Sequence, residues 1–512
     1  MGYLALIGLA WIAAAPAAMG DNPRAHPYAD HLLVEVEVPD AAELQRLLAT
    51  GVDPWPDHPR PGRLAVLVAP ERRAALWADD WSLRVLSSDV QGDVDAEWAR
   101  LAAAVRPVPG GGAFFTDFRD LAAIDAEIDA LAAAAPELVT ILDIGESLEG
   151  RAIRAVRITA EGPDDRPAVI VTAGQHAREW IAISSGMYVV DQLVTRASEP
   201  QLAAMLDDVQ LFVIPVVNPD GYAYTWTDQR YWRKNRRDGI GVDTNRNFGH
   251  GWGGEGAGTQ AFEENYAGPS AFSEPETIAV RDFVQGHPEL VAYLDVHSFG
   301  QLVLYPWGDV QAEAPDDAAL SATATAIAAA MGEQGAQYTP LQGAALYPAA
   351  GNAIDWSYAD AGLHAITMEL RPQDMEIGFV LPPDQIVPVG DEVLAGLWVM
   401  MQWAQAQAME PPGESSTGAA SSDGSGADTT TAASDSSGAV GTESSTGPVM
   451  PGGGSGLGDS TGVDAAPDGA SGCGCDATRT PAAPWALVLL LVLGRIRRSG
   501  SREGGRRWGA GG

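Results

Sequence analysis

From His31 to Val38 the chain alternates, with Leu32, Val34, Val36 and Val38 on one face and Glu35 and Glu37 on the other. That period of two predicts a half-buried strand. A helical stretch at Ala41–Ala49 follows, then a strand at Leu64–Val68 and a helix at Glu71–Trp77. A short strand at Leu83–Leu86 and a helix near Asp95–Ala104 complete a small α/β unit, read over residues 31–101. The run PVPGGGA at 107–113 reads as a linker. Beyond it a helix is predicted at Asp117–Ala134, with strands near Val139–Ile144 and Ile153–Ile158. Ala168–Thr172 is a continuous apolar run, as in a strand buried on both faces, and buried strands are also expected at Leu211–Val217 and Val291–Val296. A helix at Ile181–Val194, a strand at His364–Leu370 and a terminal helix near Asp384–Gln405 complete the pattern. Alternating helices and strands over 114–407 predict one large α/β domain.

Composition narrows the functions available. The 512 residues carry a net charge of −37 and are 46% hydrophobic. Wholesale disorder is excluded. Broad contact with phosphate backbones is opposed, so no nucleic-acid partner is expected. The two cysteines, Cys473 and Cys475, supply neither a disulfide framework nor a four-cysteine zinc site.

Both ends read as addresses. Residues 1–20 are apolar, with small residues in A-x-A patterns, and predict a secretory signal peptide, although no Lys or Arg precedes the apolar stretch. In residues 411–472, 40 of 62 positions are Gly, Ser, Thr or Pro, with eight acids and no Lys or Arg, which predicts a solvated tether. SGCGC at 471–475 is followed by the apolar run Trp485–Leu493 and six arginines. That run is shorter than the ~20 residues that span a bilayer comfortably. Over residues 473–512 this order resembles the C-terminal sorting tag of myxobacterial surface proteins. The resemblance implies a sorting protease cutting near Cys473 or Cys475 and attachment through a lipid on cysteine. The protein is then exported, and either anchored at the cell surface or outer membrane or secreted. An ordinary short membrane tail is the alternative.

Candidate chemistry begins at GQHAREW, residues 174–180. His176 and Glu179, three apart after a buried strand, either form two ligands of a zinc-type metal or match that spacing by chance. His297 ends another apolar strand, at the place where α/β sheets build sites. Two close ligands plus one distant one, leaving a position for water, is the pattern of catalytic zinc. Glu369, in the apolar setting ITMEL, is either paired with Arg371 or a general base.

Seven ordered motifs then carry a resemblance. They are GQHAREW at 174–180, NPDGY at 218–222, RYWRKNRR at 230–237, GVDTNRNFG at 241–249, LDVHSFGQLVLYPWG at 294–308, ALYPAAGNAIDWSY at 345–358 and TMELRP at 367–372. Across essentially all of 114–407 the chain is similar to the zinc metallocarboxypeptidases of the pancreatic carboxypeptidase A type. The resemblance implies a mixed parallel and antiparallel sheet flanked by helices. It implies one zinc ion per chain, held by His176, Glu179 and His297. Glu369 matches the general base and Arg233 the group that polarises the scissile carbonyl. Asn245 and Arg246 match the pair gripping the substrate's terminal carboxylate, Tyr347 the mobile tyrosine and Arg178 an outer subsite. Without the resemblance, Arg233 would read as part of a solvated basic face with Arg230, Lys234, Arg236 and Arg237.

The implied partners are peptides or proteins with a free C-terminal carboxylate. Ile354 occupies the position that holds an acid in members preferring basic ends, so aromatic or bulky aliphatic last residues are expected. Asp295 stands where digestive members carry a small residue. It is either a structural acid at the sheet end or a group admitting basic residues. Residues 26–104 resemble the family's activation peptide, which implies a latent precursor cut by a trypsin-like protease at Arg100 or Arg106, in exposed chain. Two other readings remain: an amidohydrolase of the same fold acting on peptidoglycan peptides or amino-acid conjugates, and a non-catalytic surface binding protein.

Overall fold

The alternation at the N-terminus forms the expected strand, β1 (Leu32–Val38), with Val34, Val36 and Val38 fully buried. The computed structural model describes residues 26–56, 59–104, 113–373 and 377–409, all within one compact unit. The leader, the PVPGGG linker with Arg106, the tether and the Cys473/Cys475 segment lie outside the described residues.

After β1 come α1 (Ala41–Leu48), β2 (Asp53–Pro54), β3 (Gly62–Val68), α2 (Pro70–Ala78), β4 (Leu83–Ser87) and α3 (Val90–Ala103). The strands form an antiparallel sheet in the order β2-β3-β1-β4. Asp40 caps α1 by accepting from the Glu43 amide at 2.9 Å. Helix α3 starts earlier than the apolar pattern suggests because the Asp89 carboxylate caps it through the Gly92 amide at 2.9 Å. Gly92 hides that first turn from a propensity reading.

The second part continues with α4 (Leu121–Ala134), β5 (Val139–Glu146), β6 (Ala152–Ile158), β7 (Ala168–Ala173), α5 (Trp180–Thr195), α6 (Pro200–Asp208), β8 (Gln210–Ile214) and α7 (Pro219–Thr227). Next are α8 (Pro275–Gly286), β9 (Leu290–Ser298), β10 (Leu302–Tyr305), α9 (Asp317–Gly332), β11 (Thr339–Gln342), α10 (Ala353–Ala359), β12 (His364–Leu370) and α11 (Ile386–Met409). Eight strands pair in the order β11-β10-β12-β9-β7-β8-β6-β5. The centre β12-β9-β7-β8 is parallel, and β10–β12, β8–β6 and β6–β5 are antiparallel. The expected mixed sheet is therefore present.

Strand β7 shows why its sequence is apolar throughout. Val169, Val171 and Ala173 pack into one core with α5, α9 and α11, while Ala168 and Ile170 pack into a second with α8 and α10. Helices cover both faces, so the parallel centre has no wet side. The carboxyl ends of β7, β9 and β12 consequently open side by side at one rim. Among the described residues no helix is long and apolar enough to cross a membrane.

Candidate active site

Gly174 follows β7 with a φ of +68°, and a β-carbon there would meet Ile183 at 2.8 Å. Glycine lets the chain reverse tightly and deliver His176 and Glu179 just before α5. The loop is then tied down. Asn218 Nδ2 donates to the Gln175 carbonyl at 3.2 Å and to the Lys234 carbonyl at 3.0 Å. Thr244 Oγ1 donates to the Gln175 carbonyl at 2.9 Å, and the Ala177 amide to the Arg233 carbonyl at 2.9 Å. Four of the recognised motifs thus meet through backbone acceptors.

His176, Glu179 and His297 are buried, and their ligand atoms all lie within 4.8 Å of one another. Their outer atoms decide the proton placement. His176 Nε2 is 3.1 Å from Asp243 Oδ1, and His297 Nε2 is 3.0 Å from Asp295 Oδ2. Burial works against the Asp243 charge, but Arg233 and His176 outweigh it and hold that carboxyl well below the usual range. Ionised carboxylates only accept, so each Nε2 carries the proton and donates it. In the neutral ring each Nδ1 then turns its lone pair inward. The two Nδ1 atoms stand 3.1 Å apart, with Glu179 oxygens 2.7 Å from that of His176 and 3.0 Å from that of His297. Acceptors packed face to face in a dry site call for a cation between them. The donor set of two imidazoles and one carboxylate suits zinc.

Glu369 pairs in register with His297 across the parallel strands β12 and β9, and both are buried. Their side chains therefore share a face. Arg371 is engaged with Glu392 and Gln385 instead, which removes the pairing that competed with a chemical role for Glu369. Arg233 binds Asp243 Oδ2 through Nε at 3.1 Å and Nη2 at 2.8 Å. Its Nη1 stands 3.3 Å from His176 Nδ1, so the guanidinium faces the centre. Asn245 Nδ2 lies 3.3 Å from His297 Nε2, and Asn245 Oδ1 accepts from the Ala353 amide at 2.8 Å. That bond seats Asn245 against the start of α10, which carries Ile354 in the second core. Arg246 is buried and donates to the Asn245 and Gly256 carbonyls at 2.8 and 3.3 Å. Tyr347 is half-buried, and burial pushes its phenol up while the Arg246 charge opposes the shift.

The basic run around Arg233 is not a solvated face. Arg230 is fully buried and donates to Glu97 Oε2 at 2.6 Å, Lys234 binds the Ala261 and Glu263 carbonyls, and Arg237 binds Glu274. Arg236 stacks over Tyr224 at 3.6 Å. Each cation has its own task because the surrounding loops return to meet it. Arg178 is buried by the N-terminal sheet. Its Nη1 is 3.4 Å from Asp53 Oδ2, and its Nη2 is 3.5 Å from the Pro54 and Trp55 carbonyls.

Arg100 corrects an expectation. It sits in the last turn of α3, paired with Asp117, rather than in exposed irregular chain. The helix, expected near Asp95–Ala104, runs on to Ala103 and so holds Arg100 in regular structure. Asp243 was missed altogether as a candidate, although it holds both His176 and Arg233. Its only sequence signal is an acid two residues before Asn245.

A two-histidine, one-carboxylate cluster at the carboxyl ends of a mixed α/β sheet fits the catalytic zinc centre of a hydrolase. The family model described as zinc carboxypeptidase matches residues 124–396. Carboxypeptidase A1 of Mus musculus is 33% identical over 388 residues, covering 72% of this chain and 90% of that protein. Carboxypeptidase B of Astacus astacus is 37% identical over 302 residues, covering 57% of this chain and 98% of that protein. The crystal structure of carboxypeptidase A from Helicoverpa armigera superposes with a TM-score of 0.68 at 28% identity, covering 74% of this chain and 99% of that one. The chain belongs to the zinc carboxypeptidase family and is a metallocarboxypeptidase.

Proposed function

We propose that the protein removes single C-terminal residues from peptides and proteins, preferring aromatic or bulky aliphatic ends. The observation that carries this reading is the convergence of the two Nδ1 atoms and the Glu179 carboxylate in a buried site, with Glu369 in register beside His297. When bound, zinc supplies Lewis acidity and brings the pKa of a water toward ~7. Glu369 takes a proton from the attacking water and delivers it to the leaving amine. Arg233 stabilises the carbonyl oxygen as charge develops on it, an interaction stronger in the transition state than before it. Asn245 and Arg246 grip the terminal carboxylate by a fork of hydrogen bonds that an internal peptide cannot accept, which makes the reaction exo-acting. Tyr347 closes over the substrate, Arg178 serves an outer subsite, and Ile354 supplies an apolar floor for the last side chain.

Residues 26–104 act in this proposal as an inhibitory pro-domain. Support comes from Asp53, Pro54 and Trp55 lying on Arg178, and from the buried Glu97–Arg230 pair. Release follows cleavage at Arg106, since Arg100 is held in α3. The leader and the C-terminal tag direct the protein out of the cell and onto its surface. Trypsin-treated protein should contain one zinc per chain and trim a panel of peptides varied at the last residue. It should leave amidated peptides intact. Cleavage of amidated and free-acid peptides at equal rates would end the exopeptidase reading.

A further inference from the structure

We infer that Asp295 is a positioning residue of the zinc centre, which orients His297 and tightens the metal, and that it takes no part in reading the substrate's last side chain. The inference rests on the assignment of His176, Glu179 and His297 as the metal site.

Asp295 and His297 are two apart on β9, so their side chains leave the same face of the strand. Asp295 Oδ2 accepts from His297 Nε2 at 3.0 Å and from Gln175 Nε2 at 2.7 Å. Oδ1 accepts from Thr172 Oγ1 at 2.7 Å. The Thr172 hydroxyl has then spent its proton, so Tyr293, 2.9 Å away, donates to it in turn. Strands β7 and β9 and the loop after β7 therefore all clamp this one carboxylate. A clamped acceptor fixes both the ring angle of His297 and the tautomer that leaves Nδ1 free for a metal.

The charge balance points the same way. Asp295 is fully buried, and among the described residues its hydrogen-bond partners are Thr172, Gln175 and His297. Two of these are neutral, so the third must lead to positive charge, because buried ions persist only when paired or next to a metal. Asp243, the matching acid behind His176, is different: it divides its charge between that histidine and Arg233. Asp295 directs its whole charge at His297 and the cation beyond it. An acid that received a substrate's lysine or arginine would instead need an oxygen facing an open cavity. Both oxygens of Asp295 are already engaged in the interior.

The test compares full-length wild type with Asp295→Ser and Asp295→Asn, each stripped of metal by a chelator. Zinc affinity is read by competition with a chromophoric chelator, and ligand geometry by the visible spectrum after cobalt loading. Rates on Phe-ended and Arg-ended peptides are read after trypsin treatment. Asp295→Ser should weaken zinc 10–100-fold, the effect usual for an outer partner of a ligand histidine, and shift the cobalt bands. Asp295→Asn keeps an acceptor but loses the charge, and should fall between serine and wild type. The ratio of Phe-ended to Arg-ended rates should stay within twofold. Zinc affinity within threefold of wild type in both variants would overturn the inference, as would a changed rate ratio with unchanged affinity. If the serine variant does not fold, the asparagine variant decides by the same threshold. A wild type that takes up no zinc would instead sink the metal-site assignment underneath.

Discussion

With residues 26–104 inhibiting as proposed, Trp55→Ala should make the uncut protein active. Trp55 is 2% exposed, and its ring lies 5.3 Å from Tyr231 and 5.7 Å from Phe379, centroid to centroid. Its apolar cluster takes Leu33, Ala65 and Leu67 from the N-terminal sheet, and Tyr231, Phe299 and Phe379 from the enzyme. Truncating a buried tryptophan costs about 3–5 kcal/mol. With contacts on both sides of the interface, roughly half of that loss, ~2 kcal/mol, falls on docking of the N-terminal sheet. At ~1.4 kcal/mol per decade, the undocked fraction rises about 30-fold. The assay is steady-state hydrolysis of a Phe-ended peptide by full-length protein before and after limited trypsin. Uncut Trp55→Ala should exceed uncut wild type by about 10–30-fold, the ceiling being the trimmed activity. After trimming, the two should be equal. An uncut variant within twofold of uncut wild type would refute the docking argument, as would a wild type that gains nothing on trimming.

Two further predictions address pH and specificity. Burial raises the Glu276 carboxyl from 4.5 to about 7, with the Asn235 amide opposing the shift and the Glu274 charge adding to it. A raised folded pKa means its contribution is complete below pH ~4.5 and is lost as pH climbs toward ~7, so Glu276→Gln should gain up to about 3 kcal/mol over wild type at pH 8 and little at pH 4. Urea midpoints measured at both pH values check this, and an equal difference at each would defeat it. On specificity, Phe- and Leu-ended peptides should be cut more than tenfold faster than Lys- and Arg-ended ones, since an ammonium against the Ile354 floor must shed its water. Ile354→Asp should narrow or reverse that preference; an unchanged ratio would place the floor elsewhere.

The parts of the fold read most easily from sequence were those whose residues all answer to one environment. β1 buries Val34, Val36 and Val38 on one face, and its alternation says so; β7 is dry on both, and its unbroken apolar run says that. Helix α3 was read short because its first turn depends on the Asp89 cap overcoming Gly92, a balance that a propensity pattern does not register. The cluster that could hold a metal was legible because zinc demands particular residue types, and strand ends are where such sites form. Their outer partners were not. Asp243 is an ordinary acid in the sequence, and only the return of the 243–246 loop brings it behind His176. Asp295 drew notice only as a structural acid or a group admitting basic residues, and its clamping by Thr172 and Gln175 depends on the register of β7 with β9. The same holds for Asp53, which acquires meaning only when β2 is laid against Arg178.

The central claim is that one zinc centre works with Glu369 as its proton carrier. The most direct measurement is kcat of trypsin-trimmed Glu369→Gln, in protein shown to hold one zinc per chain and to bind a non-hydrolysable peptide analogue as wild type does. The account predicts a fall of roughly 10²–10⁴-fold in kcat, in the upper part of that range, with zinc content unchanged. A zinc-loaded variant retaining more than a tenth of wild-type kcat would show that another group moves the proton.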